Sequence, residues 1–192
     1  MTPIRFARIA SLCCGLILLA GCAGFRTADK ELDAASRKLA TENTTLTSHV
    51  KHAPDAVITP QGDFLINGKS VAITPQQRGE VLAYRAQYIE IEQQGIAIGH
   101  AGVEAGRRAM VPMVFAALFG ASDEVIEARM DKRLAGVRKV SEQLCTRLPQ
   151  LMASQQQLAA DLPAFEPYAT LTPKDVDDCR KDVADSFDVA SQ

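Results

Sequence analysis

Few residues in this chain have the side chains that chemistry needs: its 192 residues include three histidines and five cysteines. The pairing best placed for catalysis is His100 with Glu104, one helical turn apart and followed by Arg107 and Arg108. At that spacing a carboxylate can orient an imidazole as a general base. The same residues also read as an ion-paired, solvated helix face, and no serine or cysteine nucleophile accompanies them. His49 and His52 stand three apart, a spacing that suits a shared metal on a helix, but no carboxylate or thiol completes the set. Asp175, Asp178, Asp182 and Asp185 form an acidic stripe without the loop that wraps calcium, so a solvated face is expected. Tyr84 and Tyr88 suit a ligand cleft or, at helical spacing, a core. No P-loop, nucleophile elbow, dinucleotide fingerprint, zincin helix or paired CxxC is present. The expectation is a non-enzyme with no catalytic residues, no metal and no cofactor. A small hydrolase built on His100 is the least favoured alternative.

The residues that must position everything else run from Val81 to Met113. Val81, Tyr84, Tyr88, Ile91, Gly95, Gly99, Gly102, Gly106, Ala109 and Met113 recur every three or four residues, which puts them on one stripe of a helix. Each helical glycine costs about 0.8–1 kcal/mol against alanine, so Gly95, Gly99, Gly102 and Gly106 predict a packing groove that another backbone approaches closely.

Around this helix the other elements follow from local signals. Asn67-Gly68 between Phe64–Ile66 and Lys69–Ile73 predicts a two-residue hairpin, with Phe64 opposite Val71 and Ile66 opposite Lys69. Val57–Thr59 adds a possible third strand. Thr74-Pro75-Gln76-Gln77 is a capping box that starts the glycine-bearing helix. Pro112 is expected to break or kink it, and Met110–Phe119 reads as buried core, being too short to span a bilayer. Gly120–Ser122 predicts a reversal, with Ser122 capping a second helix. The apolar stripe of that helix is Ile126, Met130, Leu134, Val137, Val140, Leu144, Leu148 and Leu151. An antiparallel return would put Gly106 opposite residue 136 or so, with Val137, Val140 and Leu144 filling the groove. Pro149 is a candidate end or bend, and Gln155–Gln157 is expected to be exposed. Residues 161–173 read as a stiff proline-rich connector. Thr172–Asp175 then opens a last helix with Val176, Cys179, Val183 and Phe187 on its apolar side. The fold class is therefore α+β and mainly α: a hairpin or small three-stranded meander at 57–73, an antiparallel helical hairpin, and a C-terminal helix tied by a disulfide.

The N-terminus carries an address. Arg5 and Arg8 precede the apolar stretch Ile9–Ala20, and Leu19-Ala20-Gly21-Cys22 resembles the lipobox of bacterial lipoproteins. The resemblance implies cleavage before Cys22, a diacylglycerol on its sulfur and an acyl chain, such as palmitate, on its new amine. Several chains anchor durably where one does not. Ala23, a non-aspartate after the cysteine, implies the outer membrane. An uncleaved anchor helix or an ordinary signal peptide is the competing reading. The expected organisation is a signal peptide at 1–21, a tether at 22–54 with a short helix at Asp29–Leu39 that puts Leu32, Ala35 and Leu39 on one side, and a single, mainly helical domain at 55–192. Cys13 and Cys14 leave with the signal peptide and Cys22 takes lipid. Cys145 and Cys179 remain, and an oxidising compartment pairs them. Their loop would contribute about 3.5–4 kcal/mol on the chain-entropy model. Free buried thiols or half a metal site are the alternatives.

The segments Ile58-Thr-Pro-Gln-Gly-Asp-Phe-Leu-Ile-Asn-Gly-Lys69, Ala72-Ile-Thr-Pro-Gln-Gln-Arg78, Tyr84-Arg-Ala-Gln-Tyr88 and the glycine-bearing helix resemble the YggN-like group of proteobacterial envelope proteins, over roughly residues 57–106. That group implies no assigned activity. Its ordinary members look secreted into the periplasm, so the lipobox departs from their pattern. Losing Arg5 and Arg8 leaves 19 basic against 23 acidic residues, a net charge near −4, which invites no nucleic acid. The expected function is that of a non-catalytic envelope lipoprotein. It would be held in the outer membrane by lipid on Cys22, face the periplasm, and serve protein interaction or envelope maintenance with an envelope protein as partner. The alternative is a carrier of an apolar ligand or lipid, walled by the hairpin and Met110–Phe119. The oligomeric state is not readable from the sequence.

Overall fold

The computed structural model describes residues 24–119 and 123–188, with the side chains of 24–110 and 134–187. The Asn67-Gly68 turn takes φ of 50° and 72°, the left-handed values that a type I′ turn needs. It pairs Ile66 with Lys69, and the Val71 amide donates to the Phe64 carbonyl at 2.8 Å. The hairpin strands are β3 (Phe64–Ile66) and β4 (Lys69–Ser70). They continue a sheet that begins with β1 (Thr44–Leu46) and β2 (Ala56–Ile58), in the antiparallel order β1-β2-β3-β4. The meander is therefore one strand longer than expected.

Three of the four described helices have the expected placement. Helix α2 runs over Pro75–Phe119, α3 over Asp123–Asp161 and α4 over Pro173–Asp188. At the start of α2 the Gln77 amide donates to the Thr74 Oγ1 while the Thr74 amide donates to the Gln77 Oε1, a reciprocal capping box. The same glutamine's Nε2 donates to the Asp161 carbonyl at 2.6 Å. One side chain thus starts α2 and closes α3. Thr172 and Asp175 make the equivalent exchange at α4.

Helices α2 and α3 pack along each other, with Glu90 bonded to Arg147 at 2.7 Å. Pro112 does not end α2, nor does Pro149 end α3. An interior proline costs about 3 kcal/mol or more in a helix. The reversal at 120–122, the Ser122 cap, Ile126, Met130 and the side chains of the apolar run beyond Met110 lie outside the described residues.

Within the segment expected as a tether, the described residues carry the short helix expected at Asp29–Leu39, longer than expected and docked on the domain. Residues 24–39 make helix α1, and β1 follows as an edge of the sheet. Nor is 161–173 a bare connector. Pro163–Tyr168 forms a 3-10 turn whose Phe165 and Tyr168 are buried. Phe165 sits between Tyr84 (ring centroids 5.0 Å) and Phe64 (5.7 Å). Edge contacts of this kind favour aromatic clusters. These rings, with Leu46, Ile58, Val81, Leu151, Leu158 and Leu162, form the core between sheet and helices. Gln155, expected to be exposed, is buried; its amide exchanges two hydrogen bonds with the Leu171 backbone, at 2.6 and 3.0 Å. This pairing satisfies both partners away from water.

Candidate functional site

The residues with most chemical potential converge on the interface between α1 and α2. The two helices run antiparallel: Phe25 lies at Gly106, Leu32 at Gly99, and the end of α1 at Arg85. A Cβ added to Gly106 would stand 3.0 Å from the Phe25 Cε1, and one added to Gly99 would stand 3.0 Å from the Leu32 Cδ2. The groove is thus filled from α1. Val137, Val140 and Leu144 of α3, expected to fill it, do not approach within 4 Å of a Cβ at Gly95, Gly102 or Gly106, and at Gly99 the nearest atoms are those of Leu32. Among the described residues, Gly95 and Gly102 meet nothing within that distance.

The expected level along the hairpin was close but the face was wrong. Ala101 and Ala105 of α2 line a cleft with Gly136 and Val140 of α3, so the alanines face α3 while Gly99 and Gly106 face α1. A sequence signal for this was present. Phe25 and Leu32 are seven residues apart, as are Gly99 and Gly106, and two turns of helix return to nearly the same face.

His100 belongs to this interface. Its Nδ1 lies 3.1 Å from the Asp29 Oδ1 and its Nε2 lies 3.4 Å from the Asp33 Oδ1. Asp29 and Asp33 are four apart on α1 and so share a face. Both ring nitrogens therefore face carboxylates of the neighbouring helix. Glu104, the expected orienting partner, accepts instead from Arg107 at 2.5 Å and from Arg108 at 2.6 Å. The Arg107 hydrogen bond, reinforced by the charge of both arginines, holds its carboxyl below the usual range. The arrangement clasps two helices together and leaves the ring without the expected Glu104 contact.

Arg85 closes the far end. It is 7% exposed, and its Nη2 donates to the carbonyls of Leu39 (3.2 Å), Ala40 (3.3 Å) and Glu42 (2.7 Å). The last carbonyls of a helix lack partners within it and carry the negative end of its dipole, which a buried guanidinium answers. Nearby, burial pushes the Glu92 carboxyl up, opposed by the charge of Arg85. Sequence reasoning missed Arg85 because the short helix expected at Asp29–Leu39 was read as part of a tether and given no partner.

The disulfide Cys145–Cys179 is present, with Cα atoms 5.7 Å apart, and joins α3 to α4. Beside it lies a cleft of about 220 Å³ lined by Arg138, Glu142, Thr146, Arg180, Val183 and Ala184. The cleft containing Ala101 and Ala105 is about 460 Å³, and Glu104, Arg108, Lys139 and Gln143 also line it. Tyr84 is core, and Tyr88 is half-buried beside it. His49 and His52 lie in the loop after β1, where the His49 amide donates to the Pro167 carbonyl. Among the described residues no three His, Cys, Asp or Glu side chains gather as metal ligands, and no helix is long and apolar enough to cross a membrane. Cys22 precedes the described residues.

No family model, curated protein or solved structure matches the chain.

Proposed function

We propose that the protein is a non-catalytic envelope lipoprotein, acylated on Cys22 in the outer membrane. Its domain faces the periplasm and serves as an interaction or maintenance component. The observation that carries this reading is the course of α1. Its described residues run from Gly24, two residues after the lipobox cysteine, and it is fixed to α2 at Gly106, Gly99, His100 and Arg85. A slack linker would let the domain wander from its anchor. A docked helix instead transmits the anchor's position to the folded body, which suits a component that holds a partner at a set distance from the membrane. A disulfide in the same domain favours an oxidising compartment. The resemblance to YggN-like proteins agrees with the cell envelope, departs from the lipid anchor, and adds no activity.

The carrier reading has less in its favour. Pockets for apolar ligands are lined mostly by apolar side chains, whereas the larger cleft described has Glu104, Arg108, Lys139 and Gln143 in its wall. The test is fractionation of the cell envelope with Cys22→Ser, followed by crosslinking and mass spectrometry on intact cells. The variant should leave the membrane fraction, and the wild type should crosslink to a constant envelope partner. Unchanged membrane residence of Cys22→Ser refutes the anchor, and crosslinks to no recurrent protein refute the interaction role.

A further inference from the structure

Helix α1 is held on the domain by shallow contacts. From Gly24 to Leu39 every residue is exposed or half-buried, and none is buried. Its described attachments to α2 are Phe25 at Gly106, Leu32 at Gly99, the Arg85 cap, and His100 between Asp29 and Asp33. Elements with few buried contacts open at the low end of a protein's local stabilities. A modest change at one attachment therefore shifts how often α1 is docked.

The histidine attachment has a proton count built into it. Nδ1 of His100 lies 3.1 Å from the Asp29 Oδ1, and Nε2 lies 3.4 Å from the Asp33 Oδ1. A neutral imidazole carries hydrogen on one ring nitrogen and a lone pair on the other. In either tautomer one carboxylate faces that lone pair, and the two repel. The imidazolium carries hydrogen on both nitrogens, so it can donate to one carboxylate and attract the other with opposite charge. Two carboxylates on two ring nitrogens match the cation and not the neutral ring.

The neighbouring charges leave this pairing to His100. On α1, Arg26, Lys30 and Arg37 are exposed within four residues of Asp29 or Asp33. Even so, among the described residues His100 is the basic group paired with either aspartate. On α2, Glu104 is taken by Arg107 and Arg108. On α3, Arg138 is paired with Glu142, and Lys139 lines the cleft with Ala101 and Glu104. Glu92, earlier on α2, is a second titratable group of this helix, its carboxyl pushed up by burial against the charge of Arg85.

We propose that the docking of α1 on α2 is proton-linked through His100, so that α1 is held more firmly in mildly acid surroundings than in alkaline ones. The sign follows from the charges. The docked aspartates favour the cation, so a protonated ring and a docked helix favour each other, and this support is lost as rising pH removes the proton. Strong acid removes it again by neutralising the carboxylates. In model compounds aspartate ionises near pH 3.9 and histidine near pH 6.5, which places the strongest clasp between those ranges. The three side chains are 36–58% exposed. Screening therefore keeps the effect to several-fold in docking. The inference holds whatever Cys22 carries.

The test is hydrogen exchange of the full chain at about pH 5 and about pH 8, the span over which histidine changes charge. It is read as protection relative to free-peptide rates at each pH, with residues 151–158 of α3 as the internal standard. In the wild type, protection of residues 24–39 should be several-fold higher at the acid pH. His100→Gln, which never carries charge, should give equal protection at both. Glu92→Gln, which leaves the clasp intact, should keep the wild-type ratio. Equal wild-type protection at the two pH values overturns the inference, and so does a ratio that survives in His100→Gln. If His100→Gln leaves α1 unprotected at both, Glu92→Gln decides. A ratio lost there assigns the dependence to Glu92 and overturns the inference, whereas a ratio kept there upholds it.

Discussion

Gly99 and Gly102 are three residues apart in the same helix, yet the same substitution at the two should have opposite effects. Gly102 is exposed, with nothing within 4 Å of an added Cβ. Gly102→Ala should gain the helix-propensity difference of about 0.8–1 kcal/mol. In a chain of this size that raises Tm by about 2–4 °C. At Gly99 the new methyl would stand 3.0 Å from the Leu32 Cδ2 and 3.2 Å from its Cδ1. Leu32 must rotate or retreat, which cancels most of the propensity gain, so Gly99→Ala should be nearly neutral. Leucine widens the gap. Gly102→Leu should keep most of its gain, while Gly99→Leu overpacks the α1 contact at about 1–3 kcal/mol. The assay is urea unfolding of the unacylated mature chain, with hydrogen exchange of residues 24–39 as the local readout. Gly99→Leu should speed exchange across α1 and Gly102→Leu should not. Equal destabilisation by both leucines would mean that one surface covers the whole stripe, and would refute the assignment of the groove to α1.

Three further outcomes follow from buried polar groups. Removing the guanidinium in Arg85→Met leaves the carbonyls of Leu39, Ala40 and Glu42 without their donor. It should cost about 1–3 kcal/mol and raise exchange in α1 before the core, whereas unchanged exchange there would refute the cap. Gln155→Leu should cost a similar amount, about 1–3 kcal/mol, because the Leu171 amide and carbonyl, both partly buried, then lose their partner; a neutral result by urea melt would contradict that pairing. All three tyrosines should resist ionisation. Burial raises Tyr84, Tyr88 and Tyr168, assisted respectively by Tyr88, by the charge of Glu92 and by that of Asp55. Because their folded pKa values lie above the unfolded value near 10, the stability they contribute is complete below about pH 10 and is lost as pH rises through the folded values. Phenolate absorbance should therefore appear together with alkaline unfolding, and one tyrosine titrating freely near pH 10 in folded protein would refute this.

How much of this was legible depended on the range of the signal. The Asn67-Gly68 turn, the Thr74–Gln77 box and the Thr172–Asp175 box involve residues within four positions of each other, and each formed as the sequence implied. The cysteine pairing followed from elimination, and the bridge is present. The glycine stripe announced a close approach without naming its partner. Periodicity marks which residues share a face but not which neighbour meets it, and the short helix expected at Asp29–Leu39 was read as part of a tether, so its Leu32 was not matched to the stripe. Prolines 163 and 167 made the 3-10 turn resemble a linker, although Phe165 and Tyr168 fill the core. The expected pairing of His100 with Glu104 failed for a related reason. Glu104 is its neighbour in sequence, but Asp29 and Asp33 are its neighbours in space.

The account rests most heavily on Cys22, because a docked α1 matters for function only if its N-terminus is held at a membrane. The direct measurement is mass spectrometry of the N-terminal peptide from protein isolated from the membrane fraction. The account predicts a peptide that begins at Cys22 and carries both a diacylglyceryl group and an amide-linked acyl chain. A peptide that begins elsewhere, or an unmodified Cys22, would contradict it.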